Sequence, residues 1–164
     1  MNEVLLFGRH NCKGTLNLRK FFDRIKVQHL YIESSSRGEK IPECAYSWRG
    51  DYIFSYRSFY ILPKIILNNA KEAAINFHPG TPKYPGTGCV NFALYENSKE
   101  FGVTAHLMDN KVDSGRILKV TKFPIQSKDN LQSILARTHI ELEKLALSFL
   151  ATLFNEGSGY VSRQ

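Results

Sequence analysis

A chain of 164 residues, 43% of them hydrophobic, is long enough for one domain with a continuous core, and none of its apolar runs is long enough to cross a bilayer. Its net charge of +7 suits an anionic partner (a nucleotide, a nucleic acid, a polyglutamylated cofactor) or else marks a solvated basic surface. The Lys and Arg residues are scattered, with no block of the kind that marks a nucleic-acid tail.

Val4, Leu5, Leu6 and Phe7 form an apolar run stopped by Gly8, and predict a buried first strand. Leu16, Leu18, Phe21, Phe22 and Ile25 follow at mostly helical spacing. Residues 27–32 predict a second strand. Residues 34–50 are polar and broken by Gly38 and Pro42, a loop with at most a short helix. Residues 52–56 predict a third strand. Pro63 suits the start of a short helix over Ile65, Ile66 and Leu67. Residues 73–77 predict a fourth strand, stopped by Pro79 and Gly80. Residues 81–88 carry two prolines and two glycines and form a shaped loop; 90–95 predict a helix; 101–108 and 116–123 predict strands. Ser127 is the expected cap of a long last helix. Its apolar stripe runs through Leu131, Ile134, Leu135, Leu142, Leu145, Ala146, Phe149, Leu150 and Leu153 before Gly157 and Gly159. Alternation of strands and helices points to a single α/β domain, a mainly parallel twisted sheet flanked by helices.

Three cysteines (Cys12, Cys44, Cys89) form no C-x-x-C pair and are odd in number, which suggests reduced thiols in a cytoplasmic protein. No ligand cluster has the spacing of a structural zinc, so no metal is expected. The N-terminus Met1-Asn2-Glu3-Val4 lacks a basic leader and a cleavage site, so no signal peptide is expected.

The turn from Gly8 to Thr15 lies where an open α/β sheet binds phosphate. It has neither P-loop spacing nor G-x-G-x-x-G, so an ordinary strand-to-helix turn is the better reading. Asn76 and His78 stand two apart on a strand, hence on one face, with Ile75 and Phe77 toward the core. They read either as a capped strand end or as an amide and an imidazole converging on one group. The rigid Pro79-Gly80 turn favours convergence. Asp113 sits in a turn after Asp109-Asn110-Lys111, where an aspartate commonly bonds its own backbone. His106, one strand upstream, alone reads as a packed histidine. Lys83 and Tyr84 lie on the Pro/Gly loop, positioned to meet a substrate or simply exposed. An amide, an imidazole and a carboxylate are what acyl transfer to an amine needs: a carbonyl polariser, a proton carrier and a group to hold the imidazole in its working state.

In order and spacing, Asn76-x-His78-Pro79, Pro82-Lys83-Tyr84-x-Gly86, Gly102-Val103-Thr104-x-His106 and Asp113-x-Gly115-x-Ile117-Leu118 resemble the formyltransferases that use 10-formyltetrahydrofolate, as does Ile61-Leu62-Pro63. The resemblance is good from about Asp51 to Ile125 and one of layout only before that. Asn76-Phe77-His78-Pro79-Gly80, Gly86-x-Gly88-Cys89-x-Asn91-Phe92-Ala93-Leu94-Tyr95 and Lys122-Phe123-Pro124-Ile125 most resemble the sugar N-formyltransferases. Pro85 stands where family members commonly carry Arg, which speaks against the methionyl-tRNA branch. The family's transfer-RNA and sugar enzymes usually continue into a further domain or dimerising tail, whereas this chain stops after one long helix.

The resemblance implies a Rossmann-like catalytic domain over residues 1–155, with 156–164 as a C-terminal tail. It implies an enzyme moving a formyl group from 10-formyltetrahydrofolate, without a metal, to a primary amine. A nucleotide-linked 4-amino-4,6-dideoxy sugar is the expected acceptor, in cytoplasmic assembly of a surface polysaccharide. Glycinamide ribonucleotide is the rival acceptor, and a folate- or nucleotide-binding module with weak catalysis the rival class. Asn76, His78 and Asp113 are the implied catalytic residues. Tyr56, Ile61, Leu62, Asn110 and Val112 mark the folate neighbourhood, and Lys83 and Tyr84 the acceptor. Small molecules are the implied partners, with no nucleic acid or membrane, and a homodimer is possible.

Overall fold

The computed structural model describes residues 2–164; Met1, the first residue of the expected catalytic unit, lies outside the described residues. A six-stranded sheet has the order β2-β1-β3-β4-β5-β6. Its strands are β1 (Glu3–Arg9), β2 (Gln28–Ser34), β3 (Gly50–Tyr56), β4 (Ala70–His78), β5 (Glu100–Leu107) and β6 (Ile117–Pro124). The first four run parallel, and β5 and β6 are antiparallel to their neighbours. The connections contain α1 (Lys13–Arg24), α2 (Glu43–Ser47), α3 (Lys64–Leu67) and α4 (Cys89–Tyr95); α5 (Leu131–Glu156) and α6 (Gly159–Arg163) close the chain. The chain leaves β1 for β2 on one side and returns to β3 on the other. The crevice at the carboxyl ends of β1 and β3 is therefore a topological switch point, the usual ligand position in such sheets.

Each sheet face buries its own cluster. Leu5, Phe7 and Ile53 pack under Leu62, Ile66 and Leu67 around α3. Leu6, Phe54, Phe77 and Val103 pack against Leu18 and Phe22 of α1 and Leu142, Phe149 and Leu150 of α5. Rings run through this second layer: Phe22 stacks on Phe54 and Phe54 on Phe77, while Phe149 meets Phe77 edge-on at a centroid separation of 6.0 Å. Burying one such side chain contributes about 1.5–3 kcal/mol, so a two-faced core of this size holds the strand ends in fixed register. A third cluster joins α4 to the sheet through Val90, Ala93, Phe101, Phe123 and Ile134.

Most expected elements stand within two residues of their predicted limits, and two details differ. Leu16, placed in the apolar stripe of α1, faces solvent, while Leu18, Phe21 and Phe22 are buried. The cap of α5 is Asn130, not Ser127. Asn130 accepts from the Ser133 N–H at 3.0 Å, and the Ser133 hydroxyl accepts from the Asn130 N–H at 3.0 Å, a reciprocal capping box. Ser127 lies in the preceding turn, held by the Asp129 N–H to the Gln126 carbonyl and by Arg137 gripping both Asp129 oxygens at 2.9 Å. That fork fixes Asp129 and so delays the helix start. Beyond Glu156, Val161 of α6 is buried in the core, and its carbonyl accepts from Arg116 at 3.0 Å. None of the described helices is long and apolar enough to cross a membrane.

Candidate active site

The alternation of β4 places Ile75 and Phe77 in the core and turns Asn76 and His78 to the opposite face. Antiparallel β5 lies beside it in the register Asn76 to His106 and His78 to Thr104, so all four side chains share that face. The loop after β5 then returns Asp113 to them. Asp113 has φ of 53°, a left-handed conformation that an aspartate tolerates better than most residues. Two residues on, a Cβ on Gly115 would stand 1.8 Å from the Leu107 carbonyl oxygen, so only glycine lets the loop pass so close to β5.

With the protons placed on His106 Nε2 and His78 Nδ1, four donors converge on the Asp113 carboxylate. Oδ1 accepts from Asn76 Nδ2 at 3.0 Å and lies 3.2 Å from His106 Nε2. Oδ2 accepts from the Gly86 N–H at 2.9 Å and lies 3.1 Å from His78 Nδ1. Burial works against ionisation of Asp113. The His106 hydrogen bond, the His78 ring and the Gly86 N–H outweigh it and hold the carboxyl below the usual carboxylate range. Each imidazole has an oxygen near both of its nitrogens, and a neutral ring can donate to only one of them. His106 Nδ1 lies 2.8 Å from the Leu107 carbonyl, and His78 Nε2 lies 3.0 Å from the Tyr84 carbonyl. Burial pushes His78 below the ordinary histidine value although Asp113 pulls it up. The Cys89 thiol packs 3.6 Å from His78 Nε2 and is itself pushed up by burial.

This cluster lies in the wall of a cavity of about 590 Å³, a volume suited to a cofactor-sized ligand. One end is apolar, with Ile61, Leu62 and Leu67 facing Met108 and Val112, and with Asn110 beside them. The other end is basic, with Arg9, Arg37 and Arg57, and His139 stands beside them. A second cavity of about 330 Å³ reaches His78, His106 and Asp113 from behind, between Pro82, Pro85 and Ile117.

The structure therefore brings together Asn76, His78 and Asp113, and puts Ile61, Leu62, Asn110 and Val112 around the same cavity. Tyr56, Lys83 and Tyr84 do not line it. Along β3, Ser55 faces the cavity, so Tyr56, one residue on, points the other way, its ring against Gly14 of α1. Lys83 is exposed and paired with Glu96 at 2.5 Å. The Tyr84 ring is buried on Phe101, and its hydroxyl donates to Glu96 at 2.7 Å. From that loop it is the Tyr84 carbonyl that reaches the site. His106, which alone reads as a packed histidine, is a full member of the cluster; its register opposite Asn76 is the signal that finds it. Arg9 and Arg57 follow from position, since each stands at the carboxyl end of a strand beside the switch point. His139 carries no signal on its polar helix face.

A family model described as formyl transferase matches residues 22–150. Among relatives, the methionyl-tRNA formyltransferase of Wolbachia sp. subsp. Drosophila simulans (strain wRi) is 36% identical over 97 residues, covering 58% of this chain and 31% of that protein. The GDP-perosamine N-formyltransferase of Brucella melitensis is 27% identical over 122 residues, covering 71% of this chain and 47% of that protein. The chain thus spans less than half the length of either. Among solved structures, an N-formyltransferase from Helicobacter canadensis in complex with folinic acid and dTDP-3-aminofucose shares the fold. Its TM-score is 0.78 at 20% identity, over 95% of this chain and 65% of that one. The phosphoribosylglycinamide formyltransferase of Streptococcus pneumoniae TIGR4 superposes with a TM-score of 0.73 at 18% identity, over 94% and 99% of the two chains.

Proposed function

The chain belongs to the formyl transferase family, and from that premise we propose that it moves a formyl group from 10-formyltetrahydrofolate to the primary amine of a nucleotide-linked 4-amino-4,6-dideoxy sugar. The observation that carries this reading is the convergence of Asn76, His78 and Asp113 at one cavity wall. The apolar end, with Ile61, Leu62, Leu67 and Val112, suits a flat heteroaromatic ring, and Asn110 beside it offers polar contacts. The folinic acid and dTDP-3-aminofucose of the Helicobacter canadensis neighbour support pairing a folate donor with a nucleotide-linked amino sugar.

The donor supplies the formyl carbon. The acceptor nitrogen bonds to it, the bond to the folate nitrogen breaks, and that nitrogen takes up a proton. Negative charge builds on the formyl oxygen as the amine adds. Asn76 Nδ2 donates one N–H to Asp113 and stands 3.2 Å from His106 Nε2; with His106 Nε2 protonated toward Asp113 it cannot accept from Asn76, which leaves the second N–H for that oxygen. Such a preorganised donor is worth about 3 kcal/mol of barrier. Neutral His78, its pKa lowered by burial, receives at Nε2 the proton that the amine must lose, and only the imidazolium so formed can then donate to the oxygen. It acts once Nε2 exchanges the Tyr84 carbonyl for substrate. Asp113 orients the ring through Nδ1 and stabilises the imidazolium when it forms. Residues 1–155 form the proposed catalytic unit.

A panel of amines with 10-formyltetrahydrofolate, read by mass spectrometry for one added formyl group, tests this. Formylation of the nucleotide-linked amino sugar, abolished by Asn76→Ala and His78→Ala, is the expected result. Preferential formylation of glycinamide ribonucleotide would overturn the acceptor. Folate binding without transfer to any amine would overturn the enzyme.

A further inference from the structure

Three guanidinium groups gather at one end of the cavity. Arg9 ends β1, Arg57 follows the last residue of the neighbouring strand β3, and Arg37 lies in the connection after β2. Arg9 donates from Nε to the Arg57 carbonyl at 3.0 Å, and its guanidinium lies 3.9 Å from the centre of the Phe59 ring. The Arg57 guanidinium lies 3.7 Å from Cys12 Sγ, and its backbone holds a φ of 54°, a conformation costly for a long side chain. Among the described residues, none of the three arginines pairs with a carboxylate, although Lys83, Lys122, Arg137 and Arg163 all do. Burial, then Arg57 and Arg37, make it harder for Arg9 to hold its charge.

His139 of α5 completes this wall, half-buried and hydrogen-bonded to no described residue. Burial, then Arg57 and Arg9, lower its pKa to about 4, so it faces the cavity as a neutral ring. Glu143, one turn further along α5, is turned away to Asn17, whose amide it accepts at 2.6 Å. The two aspartates that line the cavity are occupied elsewhere: Asp113 with its four donors, and Asp109 with the Lys111 N–H and the Ser114 hydroxyl. Cations crowded in a concave wall repel one another unless a ligand compensates them, and planar guanidinium forks match phosphate oxygens in pairs.

We propose that Arg9, Arg37 and Arg57, with His139 beside them, form a subsite for the phosphate group of the acceptor, anchoring it so that its amine reaches Asn76 and His78. This rests on the reading of the cavity as a joint donor and acceptor site, and it deepens that reading by naming a phosphate ester as the handle. A multiply charged phosphate matches three guanidinium groups better than a single carboxylate does.

Calorimetric titration of the wild-type protein with UDP, ribose 5-phosphate, inorganic pyrophosphate, uridine and p-aminobenzoylglutamate tests the subsite without any turnover. The phosphorylated probes are expected to bind and to weaken as salt rises, with uridine far behind. Arg9→Gln and Arg57→Gln are each expected to weaken UDP by about 10- to 100-fold, the loss of one charge-assisted pair. Thermal melts establish that these variants fold, and Arg37→Gln, at an exposed position, gives the same test if Arg57→Gln does not. Uridine binding as well as UDP overturns the subsite. So does unchanged UDP affinity in folded variants, or a loss confined to p-aminobenzoylglutamate. Ribose 5-phosphate against UDP separates a sugar-phosphate handle from a nucleoside diphosphate. The two readings fail separately: UDP binding with no transfer to any amine sinks the transferase and keeps the subsite, while transfer that UDP does not inhibit does the reverse.

Discussion

Replacing Asp113 by Asn keeps the shape of the side chain and changes what it offers its neighbours. The carboxylate is acceptor-only and, with the protons placed on His106 Nε2 and His78 Nδ1, meets four donors, the other two being Asn76 Nδ2 and the Gly86 N–H. An amide has one oxygen and one NH2, so whichever way it turns, two of the four donors face another donor. A hydrogen bond to a charged partner is worth about 1.5–3 kcal/mol, so losing two costs about 3–6 kcal/mol. If about half of that falls on the transition state, kcat for Asp113→Asn drops roughly 10- to 100-fold, at about 1.4 kcal/mol per decade. The ring of His78 provides a second readout. Asp113 pulls His78 up against the burial that pushes it down, so its titration, followed by NMR, is expected to move further below 6.5 in the variant. Stability against pH follows from the sign of the Asp113 shift. Its folded pKa lies below the ordinary aspartate value of 3.8, so the carboxylate stabilises the fold above about pH 4. That contribution is lost as pH falls through the depressed value, and Asp113→Asn is expected to lack that part of the acid limb in urea titrations. A variant with kcat within about threefold of wild type and an unmoved His78 titration would refute the assignment of Asp113 as the organiser of this site.

Gly115→Ala is expected to destabilise the fold by about 1–3 kcal/mol or more and to cut activity with it. The new Cβ meets the Leu107 backbone, which cannot yield as a side chain does, and Asp113 is only two residues away; urea melts and kcat check this. Ile61→Ala is expected to raise KM for the folate donor by about 3- to 10-fold with little change in stability, because Ile61 is exposed at the apolar end of the cavity. Tyr56→Phe, on the opposite face of β3, is expected to leave that KM unchanged, and steady-state kinetics on both variants separate the two walls.

The contrast between Asn76 and Tyr56 shows what strand sequence conveys. In β4 the polar residues alternate with Ile75 and Phe77, so the period of two alone says which side chains share a face. In β3 almost every residue is buried on both faces, as central parallel strands are, and the pattern is silent about which face borders a cavity. Tyr56, expected in the folate neighbourhood, lies off the cavity, and the strand pattern could not have shown it. Loop residues fare less well still. Lys83 and Tyr84 read as reaching for a substrate, but Glu96, 12 residues downstream of Tyr84, draws both to itself. Nothing local encodes such a partner. The choice of Asn130 over Ser127 as the cap of α5 likewise turns on a distant group, the Arg137 fork on Asp129. Both residues are good caps by type.

The same loop explains why the His78 imidazole rests against the main chain. The Tyr84 side chain is fixed by its stack on Phe101 and by Glu96, which leaves its carbonyl 3.0 Å from His78 Nε2. The Gly86 N–H on that loop is fixed in turn by Asp113. A single carboxylate thus sets both the ring and the loop that occupies the ring. Moving the loop to free Nε2 pulls directly on the carboxylate that orients Nδ1. A small shift of the ring, with the loop left in place, disturbs less. In the proposed reaction the imidazole would therefore turn from its main-chain acceptor toward the formyl oxygen or the amine.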